Sequence, residues 1–486
     1  MRLLSYSFQG LPVLLIVLFI IQGIIYVGIY PLWEGFDEPA HFAYVQHIVE
    51  NKELPTVNST ISNEVWYTMD KLPLNTYLAD RGKFYAPFWS SFNLTQSKID
   101  QNTISNIPTI ERTRGSGGIW EAQLPPMAHL VQVPIYLLFY NQDILVRAYA
   151  LRIFSVLVTA LAIFISYRTI ALIFKDYFMR LGSLMFMVFN PMFTMDISRV
   201  NNEFFTILEF SLFLYLITKF LKEKPSIKLC LSIGLVIGFG LLTKQTFIAA
   251  FFLVPIFVWL KCWQTKNNSS KNKWISFLKN TGMILAVTII ISIWWYYDKI
   301  KSGNFSGITA LHPLTVHDYI TGFFQISWYN YYQQFFGNFW GAFGWNFNYP
   351  PYPYMEVVEI ACIGSTIGLG ILILRKLYHK RLQIIYDWRY QCIFVMFLSI
   401  IIIILGQSFL NIQFYKIYGF YFTNGWYLFI ALTAISILFM LGFKSLIFNF
   451  RIKKMETEFL LAEFVTLIVF SSTIFFYLLR KYYLGV

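Results

Sequence analysis

The chain has 486 residues, of which 57% are hydrophobic, 20% aromatic and only 13% charged, with a formal net charge of +13 and a mean hydropathy of +0.55. Soluble domains carry about 25% charged residues, so the composition excludes an ordinary water-soluble protein. It points to a lipid-embedded, all-α polytopic one.

About 20 apolar residues cross the hydrocarbon core of a bilayer, and eleven candidate spans follow in order: 11–30, 148–174, 181–198, 204–220, 228–242, 246–262, 281–297, 357–374, 391–410, 426–443 and 460–479. The first, "LPVLLIVLFIIQGIIYVGIY", is too long for a signal-peptide core and lacks a cleavage site after it, so it reads as a retained helix. With the N-terminus in the cytoplasm, "KEKPSIK", "KCWQTKNNSSKNKW", "RKLYHKRLQIIYDWR" and "KSLIFNFRIKK" share one side. Together with Lys175 and Arg180 they hold about half of the 38 Lys and Arg, which is the positive-inside pattern. Basic loops against anionic headgroups account for the net charge without nucleic acid. Cys230, Cys262, Cys362 and Cys392 lie in or beside apolar segments, and no disulfide framework or zinc cluster is implied.

No internal repeat or soluble domain boundary divides residues 1–486, read as one integral-membrane domain. Two long outer loops stand out, 31–147 and 298–356. In the first, "DEPAHFAYVQHIVENKE" has the acidic residue and proline of a helix start, while "PPMAHLVQVPIYLLFY" is apolar but too short to span, suiting an interfacial helix. In the second, half of residues 323–354 are Phe, Trp or Tyr. Such rings read as a belt at headgroup level, as stacking platforms for a sugar or lipid, or as both.

On this topology five polar segments face the same, extracytoplasmic side: Asp37/Glu38, "WEAQLPP" (120–126), "RVNNE" (199–203), "LTKQT" (242–246) and "YYDKIKSG" (296–303). Charge gathered at one face of a membrane protein marks a functional cavity. Two readings stand for Asp37 and Glu38, helix capping or chemistry. His41, four residues on, shares Asp37's helix face and reads as a partner to that carboxylate, an acceptor contact or an ordinary interface histidine. Lys244 reads as a snorkelling helix-end lysine or a phosphate ligand. Arg152, one turn inside its helix, needs an anion, either Glu203 or a bound phosphate.

"FDEPAHFAY" resembles the first outer loop of protein O-mannosyltransferases (glycosyltransferase family 39), and more broadly a set of membrane proteins in the GT-C glycosyltransferase superfamily. "WEAQLPPMAHLVQVPIYLL", "ALRIFSVL", "NPMFTMDISRVNNE", "GLLTKQT", "WWYYDKIKSGNFSG" and "FWGAFGW" are similar to later family segments, in order. The resemblance implies a GT-C-like bundle of about 11 transmembrane helices whose first outer loop carries interfacial helices. It implies sugar transfer from a polyprenyl-phosphate donor to a hydroxyl of a glycolipid, glycan or protein outside the cytosol, with no cofactor. Asp37 would be the catalytic base and Glu38 would orient it. Gln123 would line the pocket and Lys244 would meet the donor phosphate, with His41, Arg152, Asn202, Glu203 and Trp345 completing the substrate-binding set.

The chain departs from the family in two places. Glu203 stands where Asp is usual. In "TNGWYLFIAL", Trp426 stands where the family has arginine, which leaves Lys416, Arg152 or Lys244 to replace that charge. A carboxylate opposite a phosphate leaving group, with a cation to take the departing charge, is a sufficient minimal set. Attack from the face opposite the phosphate predicts inversion at the anomeric carbon, and no divalent metal is implied. The alternative is a transporter or flippase for a lipid-linked sugar, against which the absence of paired repeat halves counts.

Overall fold

The computed structural model describes residues 10–72, 94–264, 269–301, 314–343, 352–378, 386–419, 424–449 and 456–480. Trp345 and residues 302–313 of the aromatic loop lie outside them, so neither is placed. Among the described residues the protein is helical apart from one two-stranded ladder, and nine helices are long and apolar enough to cross a bilayer. It is an integral, multi-pass membrane protein.

The first span is α1 (Leu11–Ile29). The outer-loop layer follows: α2 (Glu38–Asn51), β1 (Thr60–Ser62), α3 (Asn63–Lys71), α4 (Leu94–Ser105), β2 (Gly115–Gly118) and α5 (Met127–Leu138). β1 and β2 pair antiparallel, with Ile61 opposite Ser116. The expected helix start at Asp37–Pro39 and the short apolar helix at α5 are both present. Trp33, Phe42, Tyr44, Val65 and Tyr136 form a small core with Ala148 and Leu151, and this core seats the layer on the outer end of α6 (Ile144–Ile173).

Next come α7 (Tyr177–Val188), α8 (Pro191–Ile197), α9 (Glu203–Lys222), α10 (Ile227–Thr243), α11 (Ile248–Trp263) and α12 (Ser270–Lys301). Two of the eleven expected spans are not helices of membrane-crossing length. The 181–198 run breaks where Asn190 Oδ1 accepts from Phe193 N at 2.8 Å and Pro191 opens a new helix, so an N-cap and a proline override continuous hydrophobicity. At 17 residues, α10 extends about 25 Å, less than the roughly 30 Å hydrocarbon core.

The chain continues through α13 (Val316–Gln325), α14 (Trp328–Trp340), α15 (Tyr352–Tyr378), α16 (Trp388–Tyr418), α17 (Leu432–Asn449) and α18 (Glu456–Leu479). The aromatic loop is divided in character. Phe324 and Tyr329 are exposed, as a headgroup belt requires, whereas Phe339 and Trp340 are buried. Trp340 packs edge-on to Phe186 and Phe470, so the end of α14 belongs to the core.

Hydrophobic driving force is weak between helices in lipid, and close approach at small residues takes its place. The seam between α15 and α17 shows this, since a Cβ on Gly442 would collide with the Ser365 carbonyl and one on Gly368 with the Gly442 carbonyl. Gly364, on the same helix, meets only Leu446 at 3.9 Å. Gly442→Leu is therefore expected to lower the apparent Tm in detergent by several degrees, while Gly364→Leu leaves it nearly unchanged; differential scanning fluorimetry of the two variants checks this.

Candidate active site

The site begins with a backbone constraint. Asp37 takes φ 59° and ψ 8°, and Trp33 takes φ 70°; non-glycine residues in this region are sparse and concentrate at functional sites. Asp37 occupies the N-cap position of α2, yet its side chain makes no capping bond. Oδ1 instead accepts Trp120 Nε1–H at 2.8 Å. The carboxylate is thus turned away from its own helix and held from the 120–126 segment.

Glu38 has a different environment. It is fully buried, and both oxygens are engaged: Oε1 accepts from Arg152 Nε at 2.7 Å and Val200 N at 2.9 Å, while Oε2 accepts from Arg152 Nη2 at 2.6 Å and Trp33 N at 3.0 Å. Arg152 also donates to the carbonyls of Val27, Tyr30 and Pro31. Its anion is therefore Glu38, not Glu203, because the α1–α2 turn folds back over the outer end of α6 and brings the adjacent acid within reach.

Two ion pairs join Asp37 from the other side. Arg199 pairs with Asp196 and donates to the Phe36 carbonyl, one residue before Asp37. Lys244, at the extended end of α10, pairs with Glu203 and lies 4.6 Å from the Tyr427 ring centroid. Burial raises the Asp37 pKa above the ordinary carboxylate value, with Glu203 adding to the rise while Trp120, Arg199 and Lys244 oppose it. Burial, then the nearness of Asp37, pushes Glu121 well above its usual range. The two acids face each other across the cluster, and each raises the other's affinity for a proton.

His41 does not reach toward Asp37 with its ring. Its Nδ1 lies 3.0 Å from His129 Nε2, and His129 in turn stacks on Tyr44 at 3.9 Å between centroids. Burial lowers the pKa of both histidines, His129 to about 3, so the pair is neutral near pH 7. Asn202 is buried with neither side-chain polar atom bonded among the described residues, and the same holds for Glu203 Oε2. Gln123 is exposed, and its carbonyl accepts from Lys299. All five polar segments therefore meet: Trp120 holds Asp37, residues 199–203 and Lys244 face it, and Lys299 touches Gln123.

Trp426 stacks on Phe36 at 4.6 Å with the rings 14° apart, so an aromatic lid on the acidic turn occupies the place where a cation was expected. Lys416 bonds Gln325 on α13, and Arg152 is held by Glu38. Trp120, Glu121, Asp196, Arg199, His129 and Tyr427 were not singled out from sequence. Trp120, Glu121 and Arg199 lie inside segments that had been marked as polar, and that was the available signal.

Residues 123–296 match the family model for dolichyl-phosphate-mannose-protein mannosyltransferases, a little over a third of the chain. The chain resembles the GT-C membrane glycosyltransferases. No curated protein matches it. Among solved structures, it is similar to ArnT from Cupriavidus metallidurans bound to undecaprenyl phosphate (14% identity, TM-score 0.45, covering 89% of this chain and 60% of that one). It is also similar to the Pmt1–Pmt2 complex of S. cerevisiae bound to the sugar donor (14% identity, TM-score 0.37, 60% and 34%). A third likeness is to the oligosaccharyltransferase AglB of Archaeoglobus fulgidus in complex with an inhibitory peptide and a dolichol-phosphate (11%, TM-score 0.41, 91% and 55%). The chain spans less than two thirds of the length of each of these, and at such TM-scores none decides a residue's role.

The Glu38–Arg152 pair is testable as a structural anchor. Removing one member of a buried ion pair costs about 3–5 kcal/mol because the other is left uncompensated. Arg152→Met is expected to abolish or sharply reduce the folded yield, and Glu38→Gln in the same chain to recover part of it, as read by size-exclusion profile and Tm.

Proposed function

We propose that the protein transfers a sugar from a polyprenyl-phosphate donor to an acceptor hydroxyl at the extracytoplasmic face, with inversion, and that Asp37 is the general base. The observation that carries this reading is the Asp37 carboxylate, pulled off its helix by Trp120 and set within electrostatic reach of Arg199 and Lys244. A carboxylate with a cation in reach suits displacement at a glycosyl phosphate.

The acceptor hydroxyl oxygen bonds to the anomeric carbon as its proton passes to Asp37. The bond from that carbon to the phosphate oxygen breaks, and the electron pair leaves on the lipid phosphate. Lys244 takes up the departing charge. In the resting protein Glu203 holds the Lys244 ammonium, and donor phosphate takes over that contact. Arg199 fixes the Phe36 carbonyl and with it the acidic turn, while Glu38 positions the turn through Arg152. Asn202 supplies both a donor and an acceptor to the bound sugar. An inverting displacement needs no general acid here, because the phosphate leaves as a stable anion. The basic loops, gathered on the opposite side, support an extracytoplasmic position for this face.

Asp37→Asn is expected to lose transfer by at least a thousandfold while folding normally and retaining lipid-phosphate binding, measured with radiolabelled donor and by binding of undecaprenyl phosphate in detergent. Transfer at near wild-type rate in that variant removes Asp37 as base. Movement of lipid-linked sugar across liposomes without a new glycosidic bond replaces the enzyme with a carrier. Lys244→Ala is expected to weaken lipid-phosphate binding tenfold or more.

The pH profile follows from the sign of the Asp37 shift. Only the ionised carboxylate accepts a proton, and its pKa is raised. The acid limb of kcat/KM is therefore expected above the titration of a free aspartate, about 3.9. Glu203 contributes to the rise, so Glu203→Gln moves that limb to lower pH; rates measured across pH 4–8 check the direction.

A further inference from the structure

The outer-loop layer contains a second buried polar construction that the Asp37 cluster does not use. Beneath the far half of α2, Glu50 and Glu64 are buried with Arg112 and Arg147. Arg147 pairs with Glu64, and Arg112 lies 3.5 Å from Glu64 and 3.7 Å from Glu50. The hydroxyls of Tyr136 and Tyr140 donate to Glu50 at 3.3 and 3.0 Å. Gln46 donates to Glu64 at 2.6 Å and accepts from Ser62 at 2.6 Å. Two acids balance two guanidiniums, and the network is stiff because its groups hold one another.

Over this floor lies a cavity of about 270 Å³. Its walls include Gln46, His47, Asn51, Ser59 and Thr113, and Ala43 is the single apolar side chain lining it. Small-molecule pockets run from about 300 Å³ upward, so this one suits a ligand the size of one ring. Its chemistry narrows the class further. Arg112 is already matched by two carboxylates. His47, paired with Glu53 at 3.7 Å, is held below its usual pKa by burial and is neutral near pH 7. An anion or a cation finds no uncompensated counter-charge there. Hydroxyls and amides, which donate and accept alike, remain.

We propose that this cavity binds a neutral polyhydroxylated ring, a sugar residue of the acceptor remote from the hydroxyl that reacts. The inference rests on the glycosyl-transfer reading and narrows its acceptor to a glycan or glycolipid. Gln46 and Asn51 stand about 14 and 21 Å from Asp37 along α2 at 1.5 Å per residue. A ring in the cavity and a hydroxyl at Asp37 therefore belong to a saccharide of more than one unit.

The test uses the full chain in a detergent without a sugar headgroup. Methyl glucoside, galactoside and mannoside serve as neutral probes, and methyl glucuronide and glucose 6-phosphate as anionic ones, with binding read by saturation-transfer NMR. Thr113 is exposed, and Thr113→Trp fills the cavity from its outer wall; an unchanged Tm, shared with Thr113→Ser, shows that the fold persists. At least one neutral glycoside is expected to bind wild type and Asp37→Asn equally, and Thr113→Trp at least tenfold more weakly. No neutral glycoside binding, tighter binding of the anionic probes, or equal binding to Thr113→Trp overturns the proposal. Binding is measured without turnover, so the cavity fails by these outcomes alone, and the Asp37 mechanism fails only by transfer persisting in Asp37→Asn.

Discussion

The buried pair between Glu38 and Arg152 is the constraint on which the rest of the site depends. A guanidinium inside a membrane helix is costly unless its charge and its donors are met. Here the bidentate carboxylate, the Val27 carbonyl in the last turn of α1 and the Tyr30 and Pro31 carbonyls of the α1–α2 turn meet them together. Arg152 of α6 thereby fixes the exit of the first span and the first turn of α2, and Glu38, which accepts from Val200 N, ties in the segment leading into α9. Asp37 sits at the junction of these three, and its left-handed backbone is tolerable because its surroundings are fixed on every side.

A division of labour between the two adjacent acids follows. Glu38 is enclosed and saturated by donors. Asp37 is only half-buried and is held by a single indole. The same Asp-Glu dipeptide thus supplies one group that holds the turn and one that faces the charge cluster. The difference arises from environment rather than chemistry, since the side chains differ by one methylene.

Much of this was legible in the sequence. Apolar length located nine spans, and charge asymmetry placed the polar segments on one face. Asp37 and Pro39 marked the start of α2. The misreadings have specific causes. Apolar content alone does not register a cap, so Asn190 and Pro191 broke a run that looked continuous. The partner of Arg152 depends on how a turn folds back over a helix end, which no local pattern encodes. Trp120 and Arg199 lie 83 and 162 positions from Asp37, and only the packed bundle brings them to it. Aromatic richness between 323 and 354 suggested a surface belt, yet Trp340 points inward, because residue type does not reveal which end of a helix enters the core.

The stiffness of α2 has a geometric consequence. Its N-terminal end is pinned by an ion pair, and its C-terminal half rests on a balanced network of acids and arginines, so the helix cannot bend or slide without breaking one of the two. Its 14 residues then act as a ruler of about 21 Å. A molecule touching both ends of α2 would have to match that span, as a key must match the depth of its lock.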